Sequence, residues 1–184
     1  MELPNHGKYQ WLPILHNIVK QVKPENIIEF GPGRGQTTVT MALALKELGN
    51  GHIYSHDIWN SAYWGEMSKT IDEFKKWGVD DLITLKNLNF YDWVKLSDKK
   101  FDMLYFDIDN NGNKLLDLYY GVKENIDNGA VVIFEGGSHE RDRYIVDRKK
   151  MNDVKDEIGY ELLTPNVKYS LSIIYNKDLY DMEF

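Results

Sequence analysis

The sequence predicts an α/β fold: a mostly parallel seven-stranded sheet with helices on both faces, closed by a C-terminal antiparallel hairpin. Three observations predict it. Short apolar runs alternate with amphipathic stretches over residues 11–134, the order expected of strands and helices in turn. Those runs are continuously apolar, as strands buried on both faces are. The last two runs, residues 160–163 and 169–175, are joined only by Thr164-Pro165-Asn166-Val167-Lys168. A parallel crossover takes about a dozen residues or more, so this pair is antiparallel.

Each element has its own signal. Trp11, Leu15, Ile18, Val19 and Val22 recur at helical spacing, with Pro13 tolerable in a first turn. The pattern stops at Lys23-Pro24, where the residue before proline leaves the helical region. Ile27, Ile28 and Phe30 form a strand that ends at a glycine cluster. Val39, Met41, Ala42, Leu43, Leu45 and Leu48 place a helix over residues 37–48, and Gly49-Asn50-Gly51 supplies its left-handed cap. Residues 52–58 then read as a strand, 61–77 as a helix, 82–85 as a strand and Met103–Phe106 as a strand. A helix over 114–126 and a strand over 130–134 complete the alternation. The polar stretch 136–150, dense in Arg and Asp, reads as a solvated loop running into a helix.

The 184 residues suit one domain over 1–184, with the amphipathic helix in 1–23 and the sheet core in 24–184. Lys and Arg number 22 against 29 Asp and Glu, a formal charge of −7. Such a balance argues against nucleic acid and anionic membranes as partners. With 42% hydrophobic and 28% charged residues the chain is far from the composition of disorder. Cysteine is absent, which removes disulfides, thiolate nucleophiles and Cys-ligated metals. The N-terminus carries no leader pattern, and no uncharged stretch approaches the roughly 18 residues that span a bilayer. A cytoplasmic location is the expectation.

The first strand runs into Glu29-Phe30-Gly31-Pro32-Gly33-Arg34-Gly35, followed by Gln36-Thr37-Thr38 at a helix start. Glycines at alternate positions permit positive φ and let a ligand touch the backbone, while a helix N-terminus adds free NH donors. The motif is either a cofactor loop or a tight strand-to-helix turn. A dinucleotide fingerprint would place its third glycine three residues after Gly33, where Gln36 stands. The Gly-Lys-Ser/Thr of a phosphate loop is missing. Glu29, just before the loop, would repel a pyrophosphate and welcome a cationic group. Asp57 lies 22 residues after Gly35, near the end of the second strand. There α/β nucleotide sites put a carboxylate for ribose hydroxyls, the alternative being a turn or capping aspartate.

On these residues the chain resembles the class I S-adenosylmethionine-dependent methyltransferases. Their first motif, acid-x-G-x-G-x-G after the first strand, is matched by Glu29, Gly31, Gly33 and Gly35, and their ribose-binding acid by Asp57. The resemblance extends through the chain, because that family's Rossmann-like sheet also ends in an antiparallel hairpin. It implies S-adenosylmethionine held by Glu29, Gly31, Pro32, Gly33, Gly35 and Thr37, with Asp57 and Ile58 at the ribose. Asn89 and Phe90, after the third strand, would meet the adenine, and Asp107 would lie at the cofactor after the fourth. Trp59, Tyr63 and Trp64 are either an aromatic wall or core packing.

Asp107 and Asp109 end the fourth strand and Glu135 the fifth, so three carboxylates can converge; His139 follows four residues on. The arrangement is similar to the catechol and caffeoyl-CoA O-methyltransferases and to the cephalosporin hydroxylase-like group. On those patterns Asp107 and Glu135 would ligate a cation such as Mg²⁺ that holds and acidifies a substrate hydroxyl. Gly136 stands where Asn or Asp should follow, and Asn110 where the catechol-type enzymes carry a lysine. The metal-free alternative has Asp107, Asp109 or His139 as general base. The Asn/Asp-Pro-Pro-Tyr signature of nucleic-acid methyltransferases is missing, because Asp107 to Asn110 contains no proline.

The expected function is methyl transfer from S-adenosylmethionine to an oxygen of a small molecule. A non-catalytic nucleotide-binding or scaffolding domain is a second reading, and a nicotinamide oxidoreductase a third that the glycine spacing and Glu29 disfavour. The predicted elements consume nearly all 184 residues, leaving short loops and 136–150 for recognition. The acceptor is therefore small, or a second subunit of a homodimer completes the site.

Overall fold

The computed structural model describes residues 3–4, 9–59 and 67–182. Its seven strands are β1 (Asn26–Phe30), β2 (His52–Asp57), β3 (Ile83–Asn87), β4 (Met103–Phe106), β5 (Val131–Glu135), β6 (Glu161–Leu162) and β7 (Leu171–Ile174). They form one sheet in the order β3-β2-β1-β4-β5-β7-β6. All pairings are parallel except those of β7, which runs antiparallel to β5 and to β6. The helices are α1 (Leu12–Val22), α2 (Gln36–Leu48), α3 (Met67–Trp77), α4 (Phe90–Trp93), α5 (Gly112–Asp127), α6 (His139–Asp142) and α7 (Lys155–Ile158).

Strand side chains alternate between two cores. Ile27, Ile53, Met103, Tyr105 and Ile133 join the buried faces of α1 and α2. Ile28, Phe30, Leu104, Phe106 and Phe134 join Leu115, Leu118 and Val122 of α5 on the other side. Covering both faces explains why the strands read as continuous apolar runs. Each such side chain contributes about 1.5–3 kcal/mol by leaving water, so any polar group among them needs a bonding partner.

Most boundaries follow local chemistry. Gly49, at φ 72°, caps α2 through its N–H to Leu45 O. Lys23, at φ 51°, ends α1. The strand expected over 82–85 is shifted, because a 3-10 turn over Asp80–Leu82 takes up Leu82. Of the helix expected over 61–77 the part before Met67 lies outside the described residues, as do Tyr63 and Trp64. The hairpin is shorter than its apolar runs: Tyr160 leaves the strand to pack edge-on against Phe134 and to donate its hydroxyl to Gly137 O at 2.8 Å. The stretch 136–150 is not simply solvated. Gly136, Gly137, Ser138 and Asp142 are buried, and the Ser138 hydroxyl both caps α6 and donates to Val167 O at 3.0 Å.

Among the described residues no helix is long and apolar enough to cross a membrane. What positions the site is the place of β1. It is flanked by β2 and β4, so the chain leaves it to one side and later returns on the other. Loops at such a switch point diverge and open a crevice at the C-terminal ends of the strands.

Candidate active site

A cavity of about 880 Å³ occupies that crevice. Ligand sites typically measure about 300–1,000 Å³, so this one has room for a cofactor and a small second molecule. Its walls come from the ends of five parallel strands: the loop after β1, the residues after β2 and β3, the turn after β4, and Glu135 with Arg141 beyond β5.

The glycine loop is shaped by backbone contact. Gly31 has φ 84°, and a Cβ there would lie 2.2 Å from Asp107 O. Its N–H donates to His56 O at 3.0 Å, while Asp107 N–H donates to Phe30 O at 2.9 Å. The loop thus lies directly against β2 and the turn after β4. Gly31, Pro32, Gly33 and Thr37 line the cavity. Gly35 does not: it caps α2 at φ 83°, and a Cβ there would lie 2.7 Å from the Phe74 ring of α3. Thr70, which carries no sequence signal, donates from α3 to Gly33 O at 2.9 Å.

Glu29 lies behind the loop, where its side chain binds protein hydroxyls. It is fully buried away from the cavity. Its carboxylate accepts from the hydroxyls of Thr37 at 2.9 Å, Thr38 at 2.7 Å and Ser55 at 2.6 Å, tying the start of α2 to β1 and β2. Burial pushes the Glu29 carboxyl up from its ordinary range, against the pull of those three hydroxyls. Glu29→Ala leaves three buried hydroxyls without their acceptor, at about 1 kcal/mol each. The expected loss is about 3 kcal/mol, read as a lower urea midpoint at unchanged slope; a midpoint equal to wild type would refute the support role.

Asp57 and Ile58 line the cavity after β2. Asp57 Oδ1 accepts from Ile58 N–H at 2.7 Å and Trp59 N–H at 3.1 Å, which fixes the carboxylate. Trp59, at φ 50°, also lines the wall. After β3, Asn89 caps α4 by accepting from Tyr91 N–H at 2.8 Å, leaving its amide NH₂ for other use. Phe90 is buried against Phe30 and Phe106.

At the far end of the cavity stand Asp107, Asp109 and Glu135. Burial holds the Asp107 carboxyl well above the ordinary carboxylate range; the charge of Glu135 adds to this and that of Arg141 opposes it. Glu135 Oε2 accepts from Asn110 Nδ2 at 2.8 Å and from Arg141 Nη2 at 3.2 Å. Asp109 is ion-paired with Lys114 at 3.1 Å and with Arg148. His139 is exposed on α6 and is not among the residues that line the cavity. Residues the sequence did not single out close this end: Tyr9 packs on Tyr169, and the Arg141 guanidinium lies 5.2 Å over the Tyr169 ring. The only signal for Arg141 is the density of Arg in 136–150.

The donor set does not fit the divalent cation that the resemblance implies for Asp107 and Glu135. Glu135 Oε2 already receives two N–H donors, one of them from the fixed cation Arg141 at 3.2 Å, which would repel a divalent ion and leaves Oε1 as the one unpartnered oxygen of that carboxylate. Among the described residues no group of three or more Asp, Glu or His side chains gathers to hold a metal ion.

The sequence profile of a methyltransferase-domain family matches residues 28–135, the span from β1 to the end of β5. A comparison with curated proteins gave no match. Solved structures resemble the fold. The S-adenosylhomocysteine-bound methyltransferase of Podospora anserina superposes with a TM-score of 0.66 at 13% identity, covering 91% of this chain and 78% of that one. An O-methyltransferase of tomaymycin synthesis from Streptomyces achromogenes, in complex with S-adenosylmethionine, gives 0.65 at 13%, covering 90% and 79%. An O-methyltransferase from Bacillus cereus in complex with S-adenosylhomocysteine gives 0.64 at 14%, covering 95% and 84%.

Proposed function

The chain belongs to the methyltransferase-domain family of class I S-adenosylmethionine-dependent enzymes, and from that premise we propose that it methylates a hydroxyl oxygen of a small molecule. The observation that carries this reading is that the Gly31–Gly33 loop, Asp57 and Asp107 border one cavity. When bound, S-adenosylmethionine supplies a methyl group activated on a sulfonium. Gly31 and Gly33 let the backbone approach it, and Asp57 accepts from the ribose hydroxyls. Asn89 offers its amide to the adenine, beside Phe90. The acceptor enters the end bounded by Tyr9, Arg141 and Tyr169. Asp107 takes the hydroxyl proton as the new O–CH₃ bond forms and the CH₃–S bond breaks in line, leaving S-adenosylhomocysteine. The burial that raises the proton affinity of Asp107 suits it to that role. No step of this reading passes through a metal ion.

Two measurements test the reading. Calorimetry is expected to show saturable binding of S-adenosylhomocysteine, and its absence would overturn the cofactor assignment. With methyl-labelled S-adenosylmethionine and a panel of hydroxylated small molecules, labelled ether products are expected. Products methylated only on nitrogen would overturn the oxygen assignment.

A further inference from the structure

We infer that Arg141 is a built-in cation, standing where a metal-assisted enzyme of this fold would hold a divalent ion, and that its guanidinium receives the acceptor's oxygen. The inference deepens the reading above and rests on it for the group transferred. Three observations carry it.

The first is direct occupancy. Arg141 reaches from α6 to Glu135, Nη2 to Oε2 at 3.2 Å, beside the 2.8 Å bond from Asn110 Nδ2. Arg141 Nε and Glu135 Oε1 are buried and have no hydrogen-bond partner. Arg141 Nε is therefore an unused donor, the complement of an oxygen that accepts as its own proton leaves for Asp107. Stacking over Tyr169 holds the guanidinium plane.

The second is charge. Asp107, Asp109 and Glu135 face Arg141, Lys114 and Arg148, and the ion pairs to Glu135 and Asp109 are formed. Asp109 already has two cationic partners and Glu135 one, so part of the negative charge a divalent ion would meet is taken up by side chains of the protein.

The third is space. Gly136 has φ 115°, and a Cβ there would lie 2.1 Å from Asn110 Oδ1. The position after Glu135 has no room for a side chain of its own, because Asn110 fills that space and presents its NH₂ to Glu135 as a donor.

In the step itself the hydroxyl proton passes to Asp107, the O–CH₃ bond forms, the CH₃–S bond breaks, and the Arg141 guanidinium donates to the oxygen and offsets its transient negative charge.

Titration of MnCl₂ into the protein by calorimetry, with and without S-adenosylhomocysteine, tests this without turnover. Wild type is expected to show no saturable binding up to about 1 mM. Arg141→Gln, checked as folded by its melting curve, is expected to gain Mn²⁺ affinity by at least ~10-fold, and Arg141→Lys to gain none. In turnover, chelator is expected to leave wild type unaffected, and Arg141→Gln to lower kcat by about 100-fold. Stoichiometric Mn²⁺ binding by wild type below about 1 mM would overturn the inference. So would a folded Arg141→Gln variant with unchanged Mn²⁺ affinity, or chelator-sensitive turnover restored by Mg²⁺. Failure of S-adenosylhomocysteine to bind strikes the cofactor reading instead, and the Mn²⁺ titration of the unloaded protein still decides this one.

Discussion

Gly31→Ala is expected to cost about 3 kcal/mol of stability and to abolish S-adenosylhomocysteine binding in the same variant. The residue sits at φ 84°, where a side chain costs about 1–2 kcal/mol. Its Cβ would lie 2.2 Å from Asp107 O and 2.7 Å from Asp107 C. Both atoms are backbone, so no rotamer change relieves the clash; the loops after β1 and β4 must separate, at about 1–3 kcal/mol. Separation strains the bonds from Gly31 to His56 and from Asp107 to Phe30. The same motion opens the cavity where glycine loop and Asp107 meet. Gly49→Ala is the control: its φ is 72° with nothing within 4 Å of the added carbon, so only the backbone term of about 1 kcal/mol applies. Urea unfolding and calorimetry read both variants. If Gly31→Ala costs no more than Gly49→Ala, the close approach of the two loops is not a constraint.

Asp57→Ala is expected to weaken S-adenosylhomocysteine by about 100-fold, the equivalent of losing two charge-assisted hydrogen bonds of about 1.5 kcal/mol each. The side chain is only half-buried and holds one local turn through Ile58 and Trp59. Stability should therefore fall by no more than about 1 kcal/mol, the usual worth of a capping contact. Asp57→Asn keeps the acceptor for that turn while removing the charge, and a smaller loss of about 10-fold is expected from it. Equal affinity for wild type and Asp57→Ala would make Asp57 a turn residue and nothing more. Calorimetry of the three proteins decides between the two uses.

Much of the molecule was legible before folding. The parallel sheet was readable because Ile27, Ile28 and Phe30, and later Met103 to Phe106, are apolar without alternation, which only two-faced burial permits. The hairpin was readable because five residues cannot make a crossover. The helix expected over 37–48 was readable at its C-terminal end from Gly49, and the structure begins it one residue earlier, at Gln36. The one-turn helices α4, α6 and α7 were not, since four residues are too few to show a 3.6-residue period.

The candidate site divides in the same way. Residues whose role depends on local backbone, Gly31, Gly33 and Asp57, were identified by spacing and line the cavity. Glu29 and Gly35, identified from the same motif, and His139, identified as the histidine four residues after Glu135, do not line it. Spacing alone cannot tell which face of a strand or turn a side chain takes. Glu29 shares its face with Ile27 toward α1 and α2, so its acid binds hydroxyls of the protein.

The sequence by itself determined the sheet, its helical cover, the glycine loop and the acid at the end of β2, because these follow from periodicity, chain length and φ preferences within a few residues. Only the tertiary structure decided the charges at the far end of the cavity. Asn110 and Arg141 lie 25 and 6 residues from Glu135 along the chain, yet both bond the same carboxylate oxygen. Whether Asp107 and Glu135 face a metal ion or a guanidinium is set by which distant side chains reach the ends of β4 and β5. Electrostatics acts through space, and no local pattern of residues encodes it.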